Sequence, residues 1–228
     1  VNIKTIAAGT LAITLLAGCA GGKKPTVVKG SGGSSLEVLT TLAQTDMNGN
    51  HYPDAHLRVV GPGSTGVVAG LTAVGALLGG ASISSDMFDK KGYRGTTIDA
   101  LPEPTSRYFA PKAEAKIAEY LDKNGGSYAW QHALIIGASS WSLVYTDLSS
   151  ANSNYDLSYR VIFYKRPEGG TVFSAFTVAS CEPAAKTAPL AEWQANNYQK
   201  VTQETEKMMD ACLLELDNQL PRLLKKPS

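Results

Sequence analysis

The chain has 228 residues, 43% of them hydrophobic, and its 21 Lys and Arg nearly cancel its 20 Asp and Glu. A net charge of +1 excludes a global field that would recruit nucleic acid. The N-terminus opens with Lys4 and an apolar run over 6–16 that ends in Leu16, Ala17, Gly18 and Cys19. A basic start, an apolar core of roughly 7–15 residues and a small-residue cleavage site are the parts of a secretory signal. The run is too short for the roughly 20 residues of a transmembrane helix. Val1 stands where an initiator Met is expected and reads as a non-ATG start. Removal of residues 1–18 would leave about 210, enough for one substantial domain or two small ones.

Leu16-Ala17-Gly18-Cys19 resembles the lipobox of bacterial lipoproteins. That resemblance implies a signal peptide over 1–18, cleavage before Cys19, a diacylglycerol on the Cys19 thiol and a third acyl chain on its freed amine. Each buried methylene contributes about 0.8 kcal/mol, so three chains hold where one would not. Ala20, Gly21 and Gly22 include no Asp of the kind that retains this family at the inner membrane. The resemblance therefore implies an outer-membrane anchor with the domain facing the periplasm. A plain cleaved signal with a chance Cys is the alternative. With Cys19 assigned to lipid, Cys181 and Cys212 remain as a disulfide pair in a compartment that permits one, or as two free buried thiols.

Residues 19–35, rich in Gly, Ser, Lys and Thr without an apolar period, are expected to form a flexible tether. A single α+β domain is expected over 36–228. Alternation over 36–42 and 55–59 predicts two strands, joined as an N-terminal hairpin by the turn formers of 46–54. Asp46, Asn48, Asn50 and Asp54 fall at positions 1, 3, 5 and 9 of a calcium-loop pattern. The pattern breaks at its Gly and at position 12, where Leu57 replaces the bidentate carboxylate, so a plain hairpin loop is the stronger reading. His51, His56 and His132 are the chain's three His and read as isolated surface residues. This Asn/Asp-rich stretch followed by Leu57-Arg58-Val59 resembles small lipoproteins that tether type VI secretion complexes, over about 25 residues. The C-terminal helix departs from that pattern.

Residues 59–85 carry no charge, and Gly66, Gly70, Gly75, Gly79 and Gly80 punctuate Val, Leu and Ala. Small residues four apart suit close helix packing in lipid. The Gly content weakens a helix in water, and the other reading packs the segment on the domain or a partner. Residues 86–107 read as an irregular connection. Ala113, Ile117, Ala118 and Leu121 predict a helix over 111–124, closed by Gly125 and Gly126. Three strands over 133–146, 155–163 and 171–181 form an antiparallel meander, with a bulge over 137–140. From Pro189 a long helix places Trp193, Asn197, Val201, Thr205, Met208, Cys212, Leu216 and Leu220 on one face, and Pro221 is expected to stop it. A Cys181–Cys212 bridge would fasten that helix to the sheet.

No Gly-rich phosphate loop, His-Glu-x-x-His, Gly-x-Ser-x-Gly or Cys-x-x-Cys occurs. Ser139, Ser140 and Ser142 fit strand alternation, and Glu182 and Glu192 have no obvious partner acid. The expectation is a protein that is not an enzyme and takes no cofactor or metal. It would be an outer-membrane lipoprotein with a structural or accessory role in an envelope assembly such as a transport or secretion apparatus, bound to an envelope protein partner. The alternative is a periplasmic binding module for a lipid or other apolar ligand.

Overall fold

Alternating apolar residues at a period of two, broken by short polar turns, build most of a mixed sheet whose strands take chain order as follows. The computed structural model describes residues 24–62, 95–146, 154–171 and 173–227. Strands β1 (Thr26–Lys29), β2 (Ser35–Leu42), β3 (His56–Val60) and β4 (Thr96–Pro102) precede a π-helical turn, Thr105–Phe109, and helix α1 (Ala110–Asn124). Strands β5 (Leu134–Tyr145), β6 (Asn154–Lys165), β7 (Thr177–Cys181) and β8 (Lys186–Pro189) follow, and helix α2 (Leu190–Leu223) closes the fold.

The antiparallel pair β5–β6 is the spine. It pairs from Leu134 opposite Lys165 to Tyr145 opposite Tyr155, with a register shift between Ala138 and Ser140 at the expected bulge. Two short strands share each outer edge of this spine. On β5, β2 runs parallel from Val38 opposite Leu134, and β3 runs parallel from Arg58 opposite Ser142. On β6, β7 and β8 both run antiparallel, against Val161 to Lys165 and Asn154 to Leu157 respectively. β1 and β4 flank β2 and β3.

Both helices contribute to one core. Ala113, Ile117 and Leu121 of α1 and Val201, Met208, Leu216 and Leu220 of α2 join Leu36, Leu57, Leu134, Leu143, Leu157 and Phe163 of the sheet. Fully burying each Val, Leu, Ile, Met or Phe among them contributes roughly 1.5–3 kcal/mol relative to exposure. A smaller cluster of Ala43, Ile162 and Tyr164, with Met47, Ile135 and Phe176 against it, sits apart from that core.

The α+β class and the long C-terminal helix packed on the sheet agree with the sequence reading, as does the β5–β6–β7 meander. Other expectations are corrected. β2 and β3 form no hairpin; the 43–55 excursion returns the chain to its original direction, so both strands lie parallel to β5. The excursion plugs the bulge between them. Ala43 N–H donates to Ala138 O, Asp54 N–H donates to Ser139 O, and Trp141 N–H donates to Asp54 Oδ2. The expected tether of 19–35 overlaps the sheet, because Thr26–Lys29 pairs with β2. The β1–β2 turn rests on the end of α1. There a Cβ on Gly125 would lie 2.3 Å from Ser34 Oγ, so only Gly admits the contact. The connection at 86–107 contains β4, and the third meander strand begins only at Thr177. Before it, Thr171 and Ser174 close a turn through Ser174 N–H to Thr171 O.

Helix α2 is not continuous. Asn196, Asn197 and Tyr198 take left-handed φ values of 50, 55 and 62°, so Asn197 is exposed and off the apolar face. Pro221 does not stop the helix. It removes one hydrogen bond in the last turn, while the buried Leu220, Leu223 and Leu224 hold the chain in place and Leu224 N–H donates to Leu220 O.

Three buried indole hydrogen bonds and a disulfide join α2 to the rest. Trp193 Nε1–H donates to Tyr155 O at 2.9 Å, and Trp141 Nε1–H donates to Thr205 Oγ1 at 2.9 Å. Cys212 is bridged to Cys181 of β7, and Trp130 Nε1–H donates to Leu224 O at 3.2 Å. A buried indole N–H without a partner costs about 1–3 kcal/mol, which is why each Trp finds one.

Candidate functional site

Among the described residues, the most deeply buried ion pair lies at the end of the sheet where β6 stops. Lys165 closes β6, and the turn that follows carries Pro167, Glu168 and Gly169, with φ of 70° at Gly169. That turn folds Glu168 back under Lys165, and both side chains are 1% exposed. Lys165 Nζ donates to Glu168 Oε1 and to Arg166 O. Tyr128 Oη–H and Gln131 N–H donate to Glu168 Oε2 at 3.1 and 3.0 Å, and His132 N–H donates to Oε1 at 3.4 Å. Burial pushes the Glu168 carboxyl up, but the Gln131 and Lys165 hydrogen bonds outweigh it and hold the group below the usual carboxylate range. Burial holds the Lys165 ammonium below its ordinary range, and the ion pair only partly offsets this.

Beside this pair opens a surface pocket of about 720 Å³. Phe176, Val178, Leu223, Pro167 and Pro227 supply apolar walls, while Arg222, Lys225 and Lys226 bring positive charge. Its one acid is Glu168, already neutralised by Lys165. Arg222 Nη2–H donates to Val178 O, and the Arg166 guanidinium lies 5.2 Å from the Phe176 ring centre. Lys226 Nζ donates to Asn124 O and Gly125 O, closing the C-terminus of α1. The volume suits a ligand or headgroup of modest size, and the lining favours one that is anionic and partly apolar.

A second polar assembly runs from half-buried Glu103 into the core. Glu103 accepts from Thr105 N–H and Thr105 Oγ1–H, and Thr105 Oγ1 meets Tyr159 Oη at 2.7 Å. Burial pushes the Tyr159 phenol well above its ordinary value, helped by Glu103 and opposed by the Thr105 hydrogen bond. With Thr105 and Tyr159 fully buried, these hydrogen bonds position the π-helical turn on β6.

The residues singled out from sequence disperse. Cys19 and 63–85 of the Gly-rich stretch lie outside the described residues. Cys181 and Cys212 form the disulfide. Asn48 and Asp54 do not assemble a calcium loop with Asp46 and Asn50. Asp54 instead accepts from Arg58 Nε–H at 2.6 Å, and Asn48 Oδ1 accepts from Ser139 Oγ–H, so both brace the bulge. Among the described residues no three of His, Cys, Asp and Glu could hold a metal ion together. Glu182 lies 3.9 Å from Arg160, and Glu192 pairs with Lys200. Residues 165–170, which fall between the second and third strands of the expected meander, carried no functional expectation, and the Glu168 site was missed. The only local signal was a Lys and a Glu three apart around Pro167.

No protein-family model, no curated protein and no solved structure matches this chain. Among the described residues no helix is long and apolar enough to cross a membrane.

Proposed function

We propose that the protein is a lipoprotein anchored in the outer membrane through acyl chains on Cys19. Its α+β domain faces the periplasm and serves a structural or accessory role in an envelope assembly such as a transport or secretion apparatus. The observation that carries this reading is the motif Leu16-Ala17-Gly18-Cys19 behind a short apolar run and Lys4. The Cys181–Cys212 bridge supports it, since such bonds persist in oxidising compartments such as the periplasm. A helix fastened to the sheet by two indole hydrogen bonds and a disulfide, and to the segment before β5 by a third indole hydrogen bond, suits a scaffold.

The test is intact-mass analysis of protein purified from its native host, with fractionation of the envelope. The expected result is a mature chain beginning at acylated Cys19 in the outer-membrane fraction, released from membranes by Cys19→Ser. Unacylated Cys19 in the native host would sink the reading. Gentle extraction with crosslinking is then expected to recover a stoichiometric envelope protein. A stoichiometric bound lipid with no protein partner would favour the binding-module alternative.

A further inference from the structure

We infer that the pocket beside Glu168 and the loop that walls it form a second, non-covalent contact with an anionic phospholipid bilayer. The inference rests on the lipoprotein reading only for the nearness of the membrane. Phe173, on the turn between β6 and β7, is 94% exposed. A Phe ring on a loop tip is among the side chains that can enter the headgroup–acyl boundary of a bilayer. Arg166 of the same loop bonds Thr171 O at 2.7 Å and so fixes the turn that presents Phe173. Three residues further along the same loop Phe176 walls the pocket, whose rim carries Arg222, Lys225 and Lys226, all exposed, from the end of α2 and the tail that follows. The pocket's one carboxylate, Glu168, is buried against Lys165, so no acid within its lining opposes the positive rim.

Two considerations favour a bilayer over an acidic protein segment. An acidic segment would use the cations but leave Phe173 in water, whereas a bilayer surface uses both. The seven steps from Cys19 to Thr26, where the sheet begins, span at most about 24 Å. An anchor so close to the sheet keeps the domain near the headgroups, and each Lys or Arg there favours an anionic surface by a factor of roughly five.

The experiment uses the full-length protein carrying Phe173→Trp, mixed with vesicles that contain brominated lipid and either phosphatidylglycerol or phosphatidylcholine alone. The three native Trp are 6% exposed or less, so the introduced indole supplies the quenchable signal. The inference expects strong quenching with phosphatidylglycerol and weak quenching with phosphatidylcholine. Adding Lys225→Glu, or raising the salt to about 0.5 M, should cut the docked population severalfold or more. Absence of quenching with phosphatidylglycerol overturns the inference, as does quenching indifferent to lipid charge and to Lys225→Glu. Retention of the protein on immobilised poly-glutamate, abolished by Lys225→Glu, without lipid quenching, overturns it in favour of an acidic protein partner. Intact mass of the same sample reports Cys19 acylation separately. An acylated protein that is not quenched defeats the bilayer contact alone, and an unacylated one that is quenched defeats only the lipoprotein reading.

Discussion

Four donors converge on the Glu168 carboxylate, and three of them, Tyr128, Gln131 and His132, come from the segment between α1 and β5. Glu168→Gln keeps the shape and removes the charge, leaving Lys165 buried without its counter-ion. Removing one partner of a buried pair costs about 3–5 kcal/mol, and the retained amide oxygen offsets part of that. The expected loss at neutral pH is therefore about 2–3 kcal/mol. The folded carboxyl titrates below its ordinary 4.5, so its contribution is complete above the unfolded range and is lost as pH falls through the folded value. Urea midpoints of the wild type should fall on acidification below about pH 4.5, while those of Glu168→Gln should fall less. Parallel acid limbs would place the stabilisation elsewhere. Lys165 acts in the opposite sense. Its folded pKa lies below 10.5, so the cost of burying its charge is complete at neutral pH and fades only as pH rises toward that value. None of this was legible locally, because a Lys and a Glu around Pro167 look like any solvated turn until residues some forty positions earlier are folded against them.

Elements were legible to the degree that their causes are local. The apolar face of α2 follows from its 3.6 period, and Val201, Thr205, Met208, Cys212, Leu216 and Leu220 are all buried. The break at 195–198 interrupts that period. Left-handed backbone costs an ordinary L-residue roughly 1–2 kcal/mol, and Asn tolerates it better than most, so the Asn196-Asn197 pair was the available signal. Asn197 is exposed with φ of 55°, which suits Gly. Asn197→Gly is expected to stabilise by about 0.5–1 kcal/mol, raising Tm by roughly 1–4 °C in a chain of this size. Asn197→Ala should lower it. A calorimetric scan in which the Gly variant melts earlier than wild type would mean that the left-handed turn is not retained in solution. Strand β4 escaped the sequence reading for another reason. Thr96–Pro102 is largely exposed at the outer side of β3, so it carries little of the apolar alternation by which a strand is recognised.

At the scale of the molecule, one disulfide and three indole hydrogen bonds hold α2 along its length. The bridge closes a separation of 31 residues, for which the chain-entropy model gives roughly 3–4 kcal/mol. Replacing Cys181 and Cys212 together by Ala should lower the unfolding free energy by about that amount. A reductant should destabilise the wild type in urea and leave the double variant unmoved. Equal stabilities would show that the bridge does not form in solution.

What the sequence by itself determined are features with near neighbours as their cause: the α+β class, the alternating strands of the meander, the bulge after Gly137, the amphipathic C-terminal helix and a cysteine pair able to join helix to sheet. Periods of two and 3.6 are written in consecutive residues, so they survive without knowledge of the fold. Only the tertiary structure decided that β2 and β3 share one edge of β5 while β7 and β8 share the far edge of β6. It alone turned the Asn48 and Asp54 loop into a plug for the bulge, and it brought Lys165, Glu168 and the basic tail around one pocket. Those outcomes depend on partners distant along the chain, where the choice among pairings lies with packing and buried charge rather than with local pattern.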